Sequence, residues 1–336
     1  MREHPLPCPH VILGYRGFLK GNIFSVLHRL ANFYKAEHVH IVQTFFEDSI
    51  FIVWLSTLLL RGRPILLSSR RDIGLGKGNQ PWYHLLFGKL LPYVNRRFAA
   101  IVANSVQVKE FVARREKTPR ERILVHYNGV EIPTPSTTGT VPALLTPQSG
   151  VVWFCIVASL TPIKRHDVLI RAFDLARRTP GSAQLKLLVI GEGPERARLT
   201  ALAVALGTAS LTHFIGAQDN VAQFLSHVHC GVLVSDREGL SNSLLEYMAH
   251  GLPVIATLVG GNPELVSEEN GILVNVGDVS ALATAISTVA NDSGLRARMG
   301  ARSLAIVQET FSWNSSMKYI EDLYTSLAQG DAPRCG

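Results

Sequence analysis

Cysteine is scarce in this chain. Its four cysteines in 336 residues (Cys8, Cys155, Cys230 and Cys335) are widely scattered and form no CxxC pair. That excludes a small disulfide scaffold and makes a reducing cytoplasm the expected compartment. Long apolar runs are missing as well. The longest, near Ile50–Leu60 and Val151–Leu160, fall short of the roughly 18–20 residues that a transmembrane helix needs. Met1–His10 has no apolar stretch of the length a cleavable signal requires. GxxxxGK[ST], HExxH and GxSxG motifs are all absent. Against these absences, the chain is 47% hydrophobic and 18% charged, which excludes a disordered protein and leaves room for two domains of ordinary size.

Charge of one sign is concentrated in the first half. Residues 1–150 hold 19 basic and 9 acidic groups, a net of +10, whereas residues 151–336 hold 14 and 17, a net of −3. Much of the excess lies between Lys89 and Arg122, in Arg96, Arg97, Lys109, Arg114, Arg115, Lys117, Arg120 and Arg122. A basic face of this kind suits nucleic acid, an anionic membrane surface or a phosphorylated substrate, while the plainer reading is a solvated helix surface.

The second half reads most clearly. β-rich apolar runs at Val151–Ala158, Leu185–Ile190, Leu211–Ile215, Cys230–Ser235, Val254–Thr257 and Ile272–Val274 alternate with amphipathic stretches. Helices are expected near Arg165–Arg178, Glu195–Leu206, Asn220–His227 and Asn242–His250. Strands separated in this way form βαβ units with a parallel sheet and place ligands at the carboxyl ends of the strands. In the first half, strands are expected at Val39–Gln43, Pro64–Ser69, Ala99–Ala103 and Ile123–His126. The domains are therefore expected at 1–130 and 151–312. Residues 131–150, rich in Pro, Thr, Ser and Gly, form a linker. A helix from Trp313 with apolar residues at Met317, Ile320, Leu323, Tyr324 and Leu327 forms residues 313–330 and is expected to pack back on the first domain.

The sharpest segment runs from Asp236 through Glu238, Gly239, Leu240, Ser241, Asn242 and Glu246 to Gly251 and Pro253. A strand ends in a short loop, and Ser241 or Asn242 is a good N-cap for the helix that follows. Unpaired N–H groups and the positive end of that helix make an anion site, above all for phosphate. Glu238 lies in the loop before it and Glu246 about one turn inside. Carboxylates beside a phosphate repel it unless they serve hydroxyl donors. A pyrophosphate between them, with a hydroxyl-rich group on each side, meets that condition. Two exposed glutamates beside a structural loop are the bland alternative.

The surroundings resemble the retaining glycosyltransferases of family 4. Glu238 and Glu246 match the family's E-x7-E signature, followed by Met248-Ala-His-Gly-Leu-Pro-Val-Ile-Ala256, Gly260-Gly-Asn-Pro-Glu264 and Asn270-Gly-Ile-Leu-Val274. Ser159–Asp167 looks like the first donor-domain loop and Gly191-Glu192-Gly193 like the second-strand turn, while Val102–Ser105 and Tyr127–Val130 fit the end of the acceptor domain. The resemblance covers roughly residues 36–328. It implies an α/β protein of two facing Rossmann-like domains, the GT-B fold. It also implies transfer of a hexose-type sugar from a nucleotide diphosphate sugar, UDP- or GDP-linked, to a lipid-linked or polysaccharide acceptor. Glu246 would hold the ribose hydroxyls and Glu238 the sugar hydroxyls. The Gly239–Ser241 amides and Lys164 would neutralise the diphosphate, with Leu240, Asn242, Gly191, Glu192 and Gly193 nearby in the donor site. Glu238 and Lys164 are thus the candidate catalytic pair.

No cofactor or metal is implied, and the lack of any Asp-x-Asp pair fits that. The expected partners are the donor, the acceptor and an anionic membrane surface, not nucleic acid. The expected location is cytoplasmic or peripheral on the inner membrane face, with the apolar helix near Ile50–Leu60 adding contact. Three departures stand out. The family's arginine five residues before Lys164 is Ser159 here, and its acceptor-domain histidine is replaced by the Arg70-Arg71-Asp72 run. An arginine there could bind phosphate or pair with Asp72 but cannot accept a proton. The usual opening strand, glycine loop and helix also have no counterpart, so an acceptor domain short by about 50–70 residues is expected. A donor-binding remnant without turnover is the alternative function, and a sugar-nucleotide epimerase a lesser one.

Overall fold

The computed structural model describes residues 11–18, 21–45, 47–60, 62–71, 83–134, 141–179 and 183–330. Two parallel sheets organise it, in the order β1-β2-β3-β4 and β10-β9-β8-β5-β6-β7.

The first sheet consists of β1 (Ile41–Thr44), β2 (Ile65–Arg70), β3 (Ala100–Ala103) and β4 (Ile123–Val125). Helices α1 (Ile23–Ala36), α2 (Glu47–Thr57), α3 (Tyr83–Asn95) and α4 (Val106–Arg115) precede or connect these strands. The apolar α2 is core, which corrects the expectation of a membrane contact there. Its Ile50, Phe51 and Val53 pack with Leu66 of β2 and with Phe87, Leu91 and Val94 of α3. A helix apolar nearly all round is one buried on most of its faces.

The second sheet consists of β5 (Val151–Val157), β6 (Gln184–Ile190), β7 (Thr212–Gly216), β8 (Cys230–Leu233), β9 (Val254–Thr257) and β10 (Gly271–Val274). Between them lie α5 (His166–Arg177), α6 (Arg196–Ala205), α7 (Ala222–Leu225), α8 (Asn242–Ala249) and α9 (Asn262–Leu265). α10 (Val279–Asn291), α11 (Ser293–Ile306) and α12 (Trp313–Ala328) follow. Both faces of the sheet are covered: β5, α5 and α10 share one apolar cluster, and the other gathers β5, α8 and the turn at Val307–Phe311. That explains the unbroken apolar runs of the strands. The helix expected over Asn220–His227 shrinks to the four residues of α7.

α12 leaves the second domain and packs on the first sheet, where Leu323 and Leu327 meet Leu67, Ala100, Val102 and Leu124. The chain crosses between the sheets twice, and the two crossings are paired. Val130 N–H donates to Phe311 O at 2.9 Å and Trp313 N–H to Val130 O at 2.9 Å. A Cβ on Gly129 would stand 2.7 Å from Ser316 Cβ and 2.9 Å from Trp313 Cα, so only glycine lets the crossings approach this closely.

Candidate active site in the interdomain cleft

Strand order locates the site before any side chain is considered. In the second sheet the order reverses between β5 and β8, which are neighbours although three strands apart in sequence. A crevice opens beyond the carboxyl ends of strands at such a switch point. The loop after β5 carries Lys164 and the loop after β8 carries Glu238. The structure brings these two candidates together, with Lys164 Nζ 2.5 Å from Glu238 Oε1.

Backbone bonds fix that geometry. Asp236 N–H donates to Ile163 O at 2.8 Å, tying the two loops to each other. The glycines of the β6 turn brace the first loop from behind. A Cβ on Gly191 would lie 2.0 Å from Ala158 O, and one on Gly193 would lie 2.4 Å from Leu160 O. Leu160 and Glu192 bond through their backbones at 2.9 Å, while the exposed Glu192 side chain pairs with Arg196 at 3.0 Å. In this structure Gly191, Glu192 and Gly193 therefore form the wall that holds the Lys164 loop.

α8 begins as the sequence leads one to expect. Ser241 is its N-cap, accepting from Leu244 N–H at 3.3 Å. The helix is clipped to the end of β5, because Ser243 Oγ donates to Val157 O at 2.7 Å and Val157 N–H donates to Tyr247 Oη at 2.6 Å. Tyr247 lies flat over β8 at Gly231, where a Cβ would come 2.1 Å from the ring. This packing aims Glu246 and Asn242 into a cleft of about 300 Å³ that Arg71, His126, Asn128 and Trp313 also line. Burial raises the Glu246 carboxyl above its usual range. Burial also lowers His126, with an opposing bond from Ser316 and a further lowering by Arg71.

The acceptor-side trio divides. Arg71 reaches the cleft, donates to Asn128 Oδ1 at 3.2 Å and lies over the Phe45 ring at 5.0 Å. Asn128 in turn donates to Asn242 Oδ1 at 2.7 Å, so a polar chain crosses from β2 to α8. Arg70 requires correction as a ligand candidate. Its guanidinium turns into the first domain and clasps Glu116 through bonds of 3.0 and 2.9 Å, with Ser68 and Asn95 completing its partners. Successive strand residues point to opposite faces, which sends neighbours Arg70 and Arg71 to different environments. Asp72 lies outside the described residues.

Several cleft residues carried no sequence-level role. Tyr127 and Asn128 belong to a motif that marks only the end of the first domain, His126 closes the expected strand before it, and Glu264 follows the glycines of the Gly260–Glu264 run, in α9. Yet Glu264 joins the domains. Its carboxylate accepts from Val106 N–H at 2.8 Å, Gln107 N–H at 3.0 Å and Tyr127 Oη at 3.0 Å. Gly239 packs against the first domain as well, with Arg71 O only 2.1 Å from where its Cβ would be. A second hollow of about 510 Å³, beside the loop after β5, is lined by Pro162, Arg165, Arg198, Arg237, Asp167 and Asp236. Two of its arginines are paired with carboxylates, Arg165 with Asp236 at 3.0 Å and Arg198 with Glu195.

Two Rossmann-like domains with an anion-ready cleft between them define a GT-B protein. Residues 4–132 match the family described as Glycosyltransferase Family 4, and residues 152–292 match Glycosyl transferases group 1. The chain belongs to glycosyltransferase family 4. The first-domain match begins ahead of residue 36, where the motifs start to be legible. Among relatives, the chain is 31% identical over 176 residues to N-acetyl-alpha-D-glucosaminyl L-malate synthase of Bacillus anthracis, covering 52% of this chain and 45% of that protein. It is 36% identical over 155 residues to the lipopolysaccharide core biosynthesis glycosyltransferase LpsE of Rhizobium meliloti (strain 1021), covering 46% and 44%. The chain thus spans about half the length of the curated relatives it matches. Among solved structures, Anabaena Alr3699/HepE in complex with UDP superposes with a TM-score of 0.78 at 21% identity, covering 90% of this chain and 82% of that one.

Proposed function

We propose that this protein transfers a hexose-type sugar, with retention of configuration, from a UDP- or GDP-sugar to a lipid-linked or polysaccharide acceptor. The observation that carries the reading is the Lys164–Glu238 pair at the switch point, 2.5 Å apart although 74 residues separate them. The diphosphate sits against the Gly239–Ser241 amides at the head of α8, with Lys164 as its cation. Negative charge grows on that diphosphate as the glycosidic bond breaks, so fixed donors aimed there lower the barrier. Glu246, one turn into the helix, takes the ribose hydroxyls, and Glu238 takes those of the sugar. Paired with Lys164, Glu238 brings little net charge towards the phosphates.

UDP in the Anabaena structure, and UDP-glucose in a second structure of that protein, support a nucleotide-sugar donor. The name of the Rhizobium relative supports a saccharide acceptor. The net +10 of residues 1–150 supports a phosphorylated or membrane-borne one. A thermal-shift screen of UDP- and GDP-sugars, followed by an assay for hydrolysis or transfer, tests the reading, since a ligand of the native state raises its melting point. A donor that stabilises the protein and is turned over supports it. Binding without turnover would leave a donor-binding remnant, and conversion of the sugar without acceptor would mark an epimerase.

A further inference from the structure

We propose that the outward face of α3 is a docking surface for an anionic lipid bilayer. The helix is two-sided. Phe87, Leu91 and Val94 point inward to α2 and β2. On the other side Leu85, Leu86, Leu90 and Tyr93 are 77%, 48%, 38% and 67% exposed. At 3.6 residues per turn these four and Lys89 fall in one arc of about 140°, and Arg96 and Arg97 follow directly on the end of the helix at Asn95. All three cations are exposed. Arg96 lies 5.8 Å over the Tyr93 ring, so charge and aromatic surface are presented together. The sequence has no acidic residue between Asp72 and Glu110 to offset them.

This composition selects the occupant. A row of exposed leucines is unfavourable in water and calls for an apolar phase to enter. Basic side chains along the same row call for fixed negative charge at its border. A bilayer with anionic headgroups supplies both within one turn of helix, and tyrosine, lysine and arginine are the side chains that settle at its interface. A second copy of the chain would cover the leucines but gather cations against cations. Nucleic acid would take the cations and leave the leucines wet.

The position of the helix gives the surface a use. β2 ends at Arg70, the next residue Arg71 lines the cleft, and α3 follows in sequence, so the exposed row starts on the cleft side of the first sheet. An acceptor anchored in the bilayer would then meet the cleft without leaving the lipid. This last step rests on the lipid-linked reading of the acceptor. The docking itself does not, and it is measured without donor, acceptor or turnover.

The test is vesicle flotation of the whole chain at low salt, with phosphatidylcholine vesicles that do or do not contain phosphatidylglycerol. Wild-type protein should float with the anionic vesicles only and be released by high salt. Lys89→Ser/Arg96→Ser/Arg97→Ser should weaken the partitioning by about a hundredfold, at about 1 kcal/mol per cation. Leu86→Ser/Leu90→Ser/Tyr93→Ser should also abolish flotation. Both variants change exposed residues and should keep the wild-type melting curve and UDP-induced stabilisation, which separates loss of docking from loss of fold. Flotation with neutral vesicles to the same extent, no flotation at all, or undiminished flotation of either variant would overturn the proposal. So would a change of oligomeric state in the leucine variant with vesicle binding intact, which would make the row a self-association face.

Discussion

Tyr127 Oη donates to Glu264 Oε2 at 3.0 Å, a bond from the end of the first domain to α9 of the second. The same carboxylate caps α4, whose first two N–H groups it accepts, while Ser105 Oγ takes the third at 3.1 Å. A negative group at a helix N-terminus is favoured by the free donors and the dipole alike. The latch ties the two domains together beside the close contact of Gly239 with Arg71 O.

Glu264→Ala should therefore shift the protein towards an open arrangement. Partial exposure reduces the effect to about 1–2 kcal/mol, or about tenfold in the opening equilibrium. Small-angle scattering should report a larger radius of gyration, and turnover should fall while UDP binding persists. Tyr127→Phe should weaken the same latch, and a double-mutant cycle should show the two changes to be coupled. Independent effects would separate Tyr127 from the latch.

For the Lys164–Glu238 pair, the two substitutions should have different consequences. Lys164→Ala removes the diphosphate cation and should weaken UDP binding by about ten- to a hundredfold, the range of a charge-assisted bond. Glu238→Gln should leave UDP affinity close to wild type and act on the sugar, lowering turnover of the UDP-sugar. Calorimetry with UDP alone and with UDP-sugar separates these effects. Equal losses for both ligands in Glu238→Gln would place that residue on the nucleotide instead.

Glu246 couples stability to function. Burial raises its carboxyl, so the native state prefers the protonated form. Stability from this group is present at low pH and is lost as pH rises through the raised value. Glu246→Gln should thus raise the melting temperature of the ligand-free protein at neutral pH while removing donor binding. A lower melting temperature at neutral pH would contradict that assignment.

His166 works in the opposite sense. It is buried at the start of α5, and burial chiefly lowers its imidazole to about 4, with Lys164 adding to the effect. Below its unfolded value near 6.5, the unfolded chain binds the proton more readily. Stability should therefore fall as pH drops from about 6.5 to 4, by on the order of 3 kcal/mol from this group. Urea midpoints across that range should decline less steeply in His166→Leu than in wild type.

Much of the second domain is legible because its strands are buried on both faces and its E-x7-E spacing places two carboxylates within one loop and one helical turn. The Lys164 loop follows from the same alternation of strand and helix. Arg70 is not legible in this way, because its partner Glu116 lies 46 residues on and only the fold brings the two together. The roles of Glu264, Tyr127 and Asn128 depend on the distance between two domains, a quantity that no local periodicity encodes. α2 misleads for a related reason: an apolar helix reads the same whether lipid or a protein core covers it, and here Phe87 and Leu66 do.

On the proposed function, a nucleotide sugar occupies the crevice between β5 and β8 with its ribose on Glu246. Calorimetric titration of UDP- and GDP-hexoses into wild type and Glu246→Ala tests it most directly. One donor should bind wild type with one site per chain and fail to bind the variant, whose melting curve should show it folded. Equal binding to both proteins, or no binding of any donor to wild type, would contradict the account.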